Sequence, residues 1–412
     1  MCCDPRSAPA ITIPLALQLV LGAFIFASTF TIAGTQTALG LALLLWFCFA
    51  LKQKAPLPRR TMLDVPLLLF ISVSFTAALM SDSRLASLMS LRNFALMSVI
   101  YMIGALLTTR RMALRQFTVL LVSGTGVAVY GIAIYLLGKG EGTLGRSPGP
   151  FSNAMTFGGI LLILCSLFLA VAVGAGVVKR LRCAAVGAAL VSFAALFFTF
   201  TRSSWVGAVV SVVVILAFLR RRWLVPFAAA LVLFVLLLPA QYRARVESIW
   251  NLKYMTNVHR LELLKGGVRI IKDYPVIGVG TMDLADVYRR YMPPGAVQVF
   301  GHMHNIFLQI TVQTGFVGLA VFCWLLFSFF RIMVRNLKLD LPPPERAWAV
   351  GSIGALAGFI VNGLFEWNFG DAEVVTLLYI VVGTSLALPR LFQPTATVPR
   401  AESAFAYKPR IG

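Results

Sequence analysis

The chain has 412 residues, of which 59% are hydrophobic and only 12% charged, a balance that excludes a soluble domain of ordinary composition. Its formal charge of +21 does not indicate nucleic acid, because the basic residues are scattered in small groups between apolar runs rather than gathered on one face or arm. Six cysteines supply no disulfide framework: Cys48, Cys165 and Cys323 lie inside apolar runs, and Cys2, Cys3 and Cys183 fall on the side read below as cytoplasmic.

About 20 apolar residues suffice for a helix to cross a bilayer. Such runs occur at 11–32, 35–51, 63–81, 93–109, 114–137, 155–177, 184–200, 204–219, 223–240, 304–334, 347–366 and 373–389, which predicts an all-α membrane protein with about twelve transmembrane helices. The first run is too long for a signal peptide and a second span follows at once. An even number of spans puts both termini on one side. With that side inside, the inner segments hold 22 of the 36 Lys and Arg residues and a net charge of +17, against +4 outside. Both termini are therefore expected in the cytoplasm. The outer loops are then 82–92, 138–153, 201–204, 241–303 and 366–373. The expected organisation is nine spans over 1–240, an extramembrane lobe at 241–303, three spans over 304–390, and a polar cytoplasmic tail at 391–412 rich in Pro, Thr, Ala and Ser. No internal repeat of the transporter kind is visible.

The lobe carries nine Lys and Arg against five Asp and Glu, which suits an anionic substrate presented at the bilayer surface. The spacing predicts a helix over 257–272, with Leu261, Leu264, Val268 and Ile271 on one apolar face and Arg260, Lys265, Arg269 and Lys272 on its flanks. Pro275 ends it, Gly278-Val279-Gly280 makes a turn, and Pro293-Pro294-Gly295 marks a second break. A helix of this kind can lie along the membrane and direct cations at lipid phosphates.

The chain has three histidines, all in or beside the lobe. His304 opens the next apolar run, where an imidazole can take a proton from a sugar hydroxyl; bonding to backbone or headgroup is the plainer role. His302 could join it on a metal with Asp283 or Asp286, although no third ligand has the spacing of a known cluster, so no metal is expected. His259 reads as a surface residue. Arg202, in a very short outer loop, can fork onto phosphate oxygens or anchor the interface. Arg146 sits in a Gly/Pro loop that would fix its direction, or is a solvated loop charge. Arg260 alone reads as a helix-face charge. Glu366 and Asp371 flank a tight outer turn with Trp367; they orient His304, bind sugar hydroxyls, or simply form a polar interfacial loop.

The stretches Arg260-Leu261-Glu262-Leu263-Leu264-Lys265-Gly266-Gly267, Asp273-Tyr274-Pro275-Val276-Ile277-Gly278-Val279-Gly280, His304-Asn305-Ile306-Phe307-Leu308-Gln309 and Gly315-Phe316-Val317-Gly318-Leu319 together resemble the O-antigen ligase (WaaL type) and polymerase superfamily. The resemblance is strongest over 200–320. It implies a GT-C-type glycosyltransferase of the bacterial inner membrane with a helical periplasmic lobe. Such ligases move a glycan from undecaprenyl diphosphate to lipid A-core at the periplasmic face, completing lipopolysaccharide, without a cofactor. It further implies an essential His at His304, in the His-Asn pair with Asn305, and essential arginines at Arg260 and Arg202, with Arg146 a less secure match. His302, Arg269, Glu366 and Asp371 are grouped with Asn305 as supporting or substrate-binding residues.

Charge suggests the mechanism: the arginines stabilise the departing diphosphate, His304 deprotonates the acceptor hydroxyl, and a single displacement inverts the anomeric centre with no need for a divalent metal. An O-antigen polymerase or a protein O-oligosaccharyltransferase shares motif and donor but not acceptor. A transporter or flippase is a different class, against which stands the near absence of ionisable residues in the helix interiors from Ala10 to Ala240.

Overall fold

The computed structural model describes residues 13–142 and 144–392. In chain order the α-helices are α1 (Leu15–Ala27), α2 (Ile32–Leu51), α3 (Asp64–Met80), α4 (Arg84–Ser90), α5 (Ser98–Leu106), α6 (Arg110–Leu136), α7 (Ala154–Val173), α8 (Lys179–Phe198), α9 (Arg202–Leu219), α10 (Leu224–Leu237), α11 (Ala240–Glu247), α12 (Met255–Asp273), α13 (Ala285–Tyr291), α14 (Ile306–Asn336), α15 (Pro343–Gly363) and α16 (Ala372–Phe392). No strand of a sheet occurs among the described residues. Each of the twelve apolar runs contains a helix. Eight helical segments are long and apolar enough to cross a membrane, namely α2, the continuous stretch Arg84–Leu106, α6, α7, α8, α9, α14 and α16, while α1 and α3 are apolar but shorter. The chain is thus a helical, multi-pass membrane protein.

Several expectations need correction. The predicted outer loop at 82–92 is mostly helical: α4 runs through a 3-10 turn (Leu91–Met97) into α5. Its serines explain why, since Ser87 and Ser90 face the lobe rather than water; Ser87 Oγ donates to Met282 Sδ at 3.2 Å and Ser90 Oγ bonds Thr281 Oγ1 at 2.8 Å. Helix α16 continues to Phe392, two residues into the segment predicted as tail; the rest of 391–412 lies outside the described residues. Cys48, Cys165, Cys183 and Cys323 are free, as expected, whereas Cys2 and Cys3 fall outside the described residues.

The run predicted at 304–334 is longer than one span, and the reason is a break at Gly315, whose backbone (φ 67°, ψ −173°) is not helical. The turn after Pro275 fills that break. Val279 N–H donates to Val312 O and Gly280 N–H to Gln313 O, both at 3.0 Å, and Phe316 N–H donates to Pro275 O at 2.8 Å. The carbonyls freed by the break are thereby satisfied from the lobe, as buried backbone requires. A Cβ on Gly315 would stand 2.1 Å from Val276 O, so glycine is required on both counts.

The lobe has its own core, in which Leu263, Ile270, Leu284, Tyr288, Met303 and Val312 meet. The buried face of α12 is therefore Leu263, Gly266, Gly267 and Ile270, not the predicted stripe; Leu261, Leu264 and Val268 are 45%, 47% and 42% exposed. Gly266 and Gly267 decide the face by allowing close approach, since a Cβ on them would lie 2.5 Å from the Tyr288 ring and 2.9 Å from Leu308. Within the bundle α7 is the central helix, 83% buried over its apolar window. At the other extreme, no residue of α10 is buried.

Candidate active site

The site is assembled where the lobe, the start of α14 and the turn joining α15 to α16 meet. Asn305 makes the junction. Its Oδ1 caps α14 by accepting the Leu308 N–H at 2.9 Å, and its Nδ2 donates to Leu364 O at 2.9 Å, which fastens the helix start to the 364–371 turn. His304, just before this cap, adopts a left-handed backbone with φ 46°, a strained conformation for a residue with a Cβ.

That geometry brings His304 Nδ1 to 3.0 Å from Glu366 Oε1. Glu366 is 5% exposed, so it is no interfacial loop charge. Burial pushes its carboxyl up, but the bond to His304 and the charges of His304, His302 and Arg260 outweigh this and hold it below its ordinary value. As a carboxylate it only accepts, so Nδ1 carries the hydrogen and Nε2 presents its lone pair. The second oxygen, Oε2, is buried and has no partner among the described residues.

Asp371 lies in the same turn but faces α7, where Thr156 Oγ1 donates to its Oδ2 at 3.0 Å. Burial and the nearby Glu366 charge push its carboxyl up to about 7. The His302 ring lies against that of His304, tilted by 59° with centroids 4.1 Å apart, and its Nδ1 accepts the His304 N–H at 3.4 Å. Burial, then the neighbouring His304, lower its pKa.

His302, His304 and Glu366 offer ligand atoms all within 4.8 Å of one another, an arrangement able to hold a metal ion. The third member is not the predicted Asp283 or Asp286. Asp283 instead caps α13, accepting the Ala285 N–H at 2.8 Å, and Asp286 pairs with Arg289 at 2.9 Å. His259 is no plain surface residue, since its ring lies 5.6 Å from Phe300, which packs edge-on against His304 at 5.4 Å.

Arginines gather on one side of this pair. Arg146 is held on a small antiparallel bridge between Glu141 and Arg146, and donates to Thr199 O at 3.0 Å and Thr201 Oγ1 at 3.1 Å. Burial, then repulsion from Arg245, lower its pKa. Arg202, 6% exposed at the start of α9, is enclosed by the lobe; it donates to Ser248 O and Oγ, Thr256 Oγ1 and Asn257 Oδ1, and lies 5.0 Å over the Tyr254 ring. Arg245, which the motifs do not single out, donates to Phe200 O at 3.0 Å and Tyr254 Oη at 3.1 Å. Only its contribution to the lobe's basic excess hints at it in the sequence.

Arg260 is different. It makes no side-chain hydrogen bond among the described residues and stands 6.0 Å from the Phe365 ring. Burial lowers its pKa, while the Glu366 charge opposes that shift. Its guanidinium thus stands near Glu366 and Phe365 with its donors unengaged among the described residues. Arg269 is not brought in; it lies about 13 Å further along α12 by helix rise and ties that helix to Met292 O at 3.0 Å.

On its other side, His302 lines a cavity of about 640 Å³ with Arg92, Asp283, Gln309, Gln313 and Trp367 among its walls. The imidazole pair thus stands between a cationic side and a roomy cavity of mixed lining, in which Arg92, Asp283, Gln309 and Gln313 stand among apolar side chains such as Phe70, Met97 and Phe369.

Residues 187–323 of the chain match the family described as O-antigen ligase. That stretch, about a third of the chain, contains Arg202, Arg245, Arg260, His302 and His304 but not Arg146, Glu366 or Asp371. None of the curated proteins matches the chain.

Proposed function

We propose that this protein is an O-antigen ligase of the WaaL type, a GT-C-type glycosyltransferase of the bacterial inner membrane with twelve spans and both termini in the cytoplasm. It takes a glycan from undecaprenyl diphosphate at the periplasmic face and attaches it to lipid A-core. The observation that carries this reading is the His304–Glu366 pair set between a cluster of arginines and a large cavity of mixed polar and apolar lining. The family match over 187–323 supports the ligase and polymerase class of chemistry.

In this mechanism Glu366 fixes the tautomer and direction of His304, so that Nε2 accepts the proton of the acceptor hydroxyl. The hydroxyl oxygen attacks the anomeric carbon, the bond from that carbon to the diphosphate oxygen breaks, and the configuration inverts. Arg260 meets the developing charge with a guanidinium whose donors are unengaged, and Arg146 and Arg245 add positive potential from a water-poor setting. Arg202 acts mainly by holding the lobe in place, because its donors are already bonded to lobe residues. Arginine charge does the neutralising, so the scheme needs no divalent metal.

The test is incubation of purified protein with undecaprenyl-diphosphate glycan and lipid A-core, with EDTA and without ATP. Ligated lipopolysaccharide on a gel is the expected result. Product that requires added metal assigns His302, His304 and Glu366 to metal binding instead. Longer lipid-linked glycan, or glycosylated protein when that acceptor is supplied, moves the reading to a polymerase or protein transferase on the same site.

A further inference from the structure

At the opposite end of the bundle from His304, where α3 begins and where α14 and α16 finish, the structure forms an open hollow of about 300 Å³. Four arginines line it: Arg59 and Arg60 from the segment before α3, Arg335 from the end of α14, and Arg390 from the end of α16. The general enrichment of basic residues on one membrane face accounts for their presence but not for their convergence from three separate segments on one hollow. No Asp or Glu lines the cavity among the described residues. The carboxylate of Asp64, which contacts the lining residues Thr61 and Tyr101, is already occupied by Thr61 and by the Tyr101 hydroxyl, which donates to it at 2.7 Å.

Asn336 is a second, independent pointer. It is 1% exposed and lines the cavity; its Nδ2 donates to Ser385 O at 2.8 Å, while its Oδ1 is buried with no partner among the described residues. A buried amide oxygen without a donor is costly unless something brings one. The cavity therefore offers guanidinium forks for phosphate oxygens and one acceptor for a hydroxyl, beside an apolar wall that includes Ile332 and Leu386.

We propose that this cavity binds the headgroup of an anionic phospholipid bearing a hydroxylated alcohol, of the phosphatidylglycerol kind. Its phosphate lies among Arg59, Arg60, Arg335 and Arg390, a glycerol hydroxyl donates to Asn336 Oδ1, and an acyl chain follows the apolar wall. Basic hollows between spans at the cytoplasmic surface suit such headgroups. The site shares no residue with the His304 centre, so it stands independently of the function proposed above.

The experiment uses the full chain, purified in detergent and stripped of lipid, with palmitoyl-oleoyl phosphatidylglycerol or phosphatidylcholine added back and retained lipid counted by native mass spectrometry. The wild type is expected to prefer phosphatidylglycerol by roughly tenfold, as follows when several basic residues contact one anionic headgroup. Arg335→Gln combined with Arg390→Gln should bring the two lipids close to parity. Should that variant not fold, Arg59→Gln with Arg60→Gln, both in an exposed segment, carries the same expectation. Equal retention of the two lipids by the wild type, or an undiminished preference in a folded variant, would overturn the proposal. So would inorganic phosphate at millimolar concentration displacing phosphatidylglycerol completely, which would mark a site for a small free anion.

Discussion

At the scale of single residues, the arginines that look alike in the sequence divide by what their donors already hold. Arg260 keeps its guanidinium unbonded beside Glu366, whereas Arg202 is saturated by Ser248, Thr256 and Asn257. Arg260→Ala should therefore lower kcat/KM for transfer by about two to three orders of magnitude, as loss of one charge-stabilising donor does, with thermal stability close to wild type. Arg202→Ala should show the reverse emphasis. It removes the bonds that tie the start of α9 to Ser248, Thr256 and Asn257, at a cost of about 3 kcal/mol, and should loosen the lobe to proteolysis before chemistry is considered. Equal thermal shifts for the two variants would refute this division. His304→Ala belongs here too: it should retain fold and donor binding and lose transfer, and residual turnover near wild type would remove His304 from the base role.

Asp371 supplies a pH signature. Its folded carboxyl titrates at about 7, above the ordinary 3.8, because of burial and the adjacent Glu366 charge. The folded state thus holds a proton that the unfolded chain releases, so stability falls as pH rises from the unfolded value through about 7 and then levels off. Asp371→Asn cannot lose a proton, and its melting temperature relative to wild type should climb between pH 5 and pH 8. A constant difference across that range would place the Asp371 titration elsewhere. Part of this site is legible in the sequence: His304 stands out by residue type and position, the acidic turn at 366–371 by its place in an outer loop, and Arg260 only through the family resemblance. What is not legible is which partner is chosen: the sequence offers both Glu366 and Asp371 to orient His304 and only Glu366 joins it, across 62 residues, while Arg245 enters through its contacts with Phe200 and Tyr254, which no local pattern encodes.

At the scale of elements, α12 shows why periodicity can select the wrong face. Leu261, Leu264 and Val268 form the more obvious aliphatic stripe, yet the core lies on the side bearing Gly266 and Gly267, because missing side chains let Tyr288 and Leu308 approach. Hydrophobicity marks both stripes, and only close packing distinguishes them. The same logic governs α14. Its nine residues before Gly315 belong to the site layer and the remainder crosses the bundle, with the turn after Pro275 seated in the break. Gly315→Ala combines an unfavourable φ with a clash against Val276 O and should destabilise by about 2 kcal/mol or more. Gly22→Ala is the control, since nothing lies within 4 Å of a Cβ there. If both variants melted alike, the break would not be the anchor of the lobe.

At the scale of the whole molecule, the two ends of the bundle differ in chemistry. One end carries the imidazole pair, the arginine cluster and the lobe; the other carries Arg59, Arg60, Arg335 and Arg390 around a hollow, and the Arg110–Glu345 bridge at 2.6 Å. In the topology proposed above the second end is the cytoplasmic one, a reading supported by the net charge of +17 on the segments there against +4 on the other side. That assignment has a direct physical consequence for labelling. Cys183, exposed near the start of α8, should be shielded from a membrane-impermeant maleimide in cells whose inner membrane is intact but exposed to reagent. Val297→Cys, at a lobe position 92% exposed, should react freely in the same cells. Both chains should carry Cys48 and Cys323 replaced by Ser, since these too are exposed on the protein. Labelling of both positions from one side would break the alternation of spans that joins α8 to the lobe, and with it the twelve-span topology. The opposite pattern, with Cys183 reactive and position 297 protected, would invert the protein and put His304 on the side where lipid A-core is not presented.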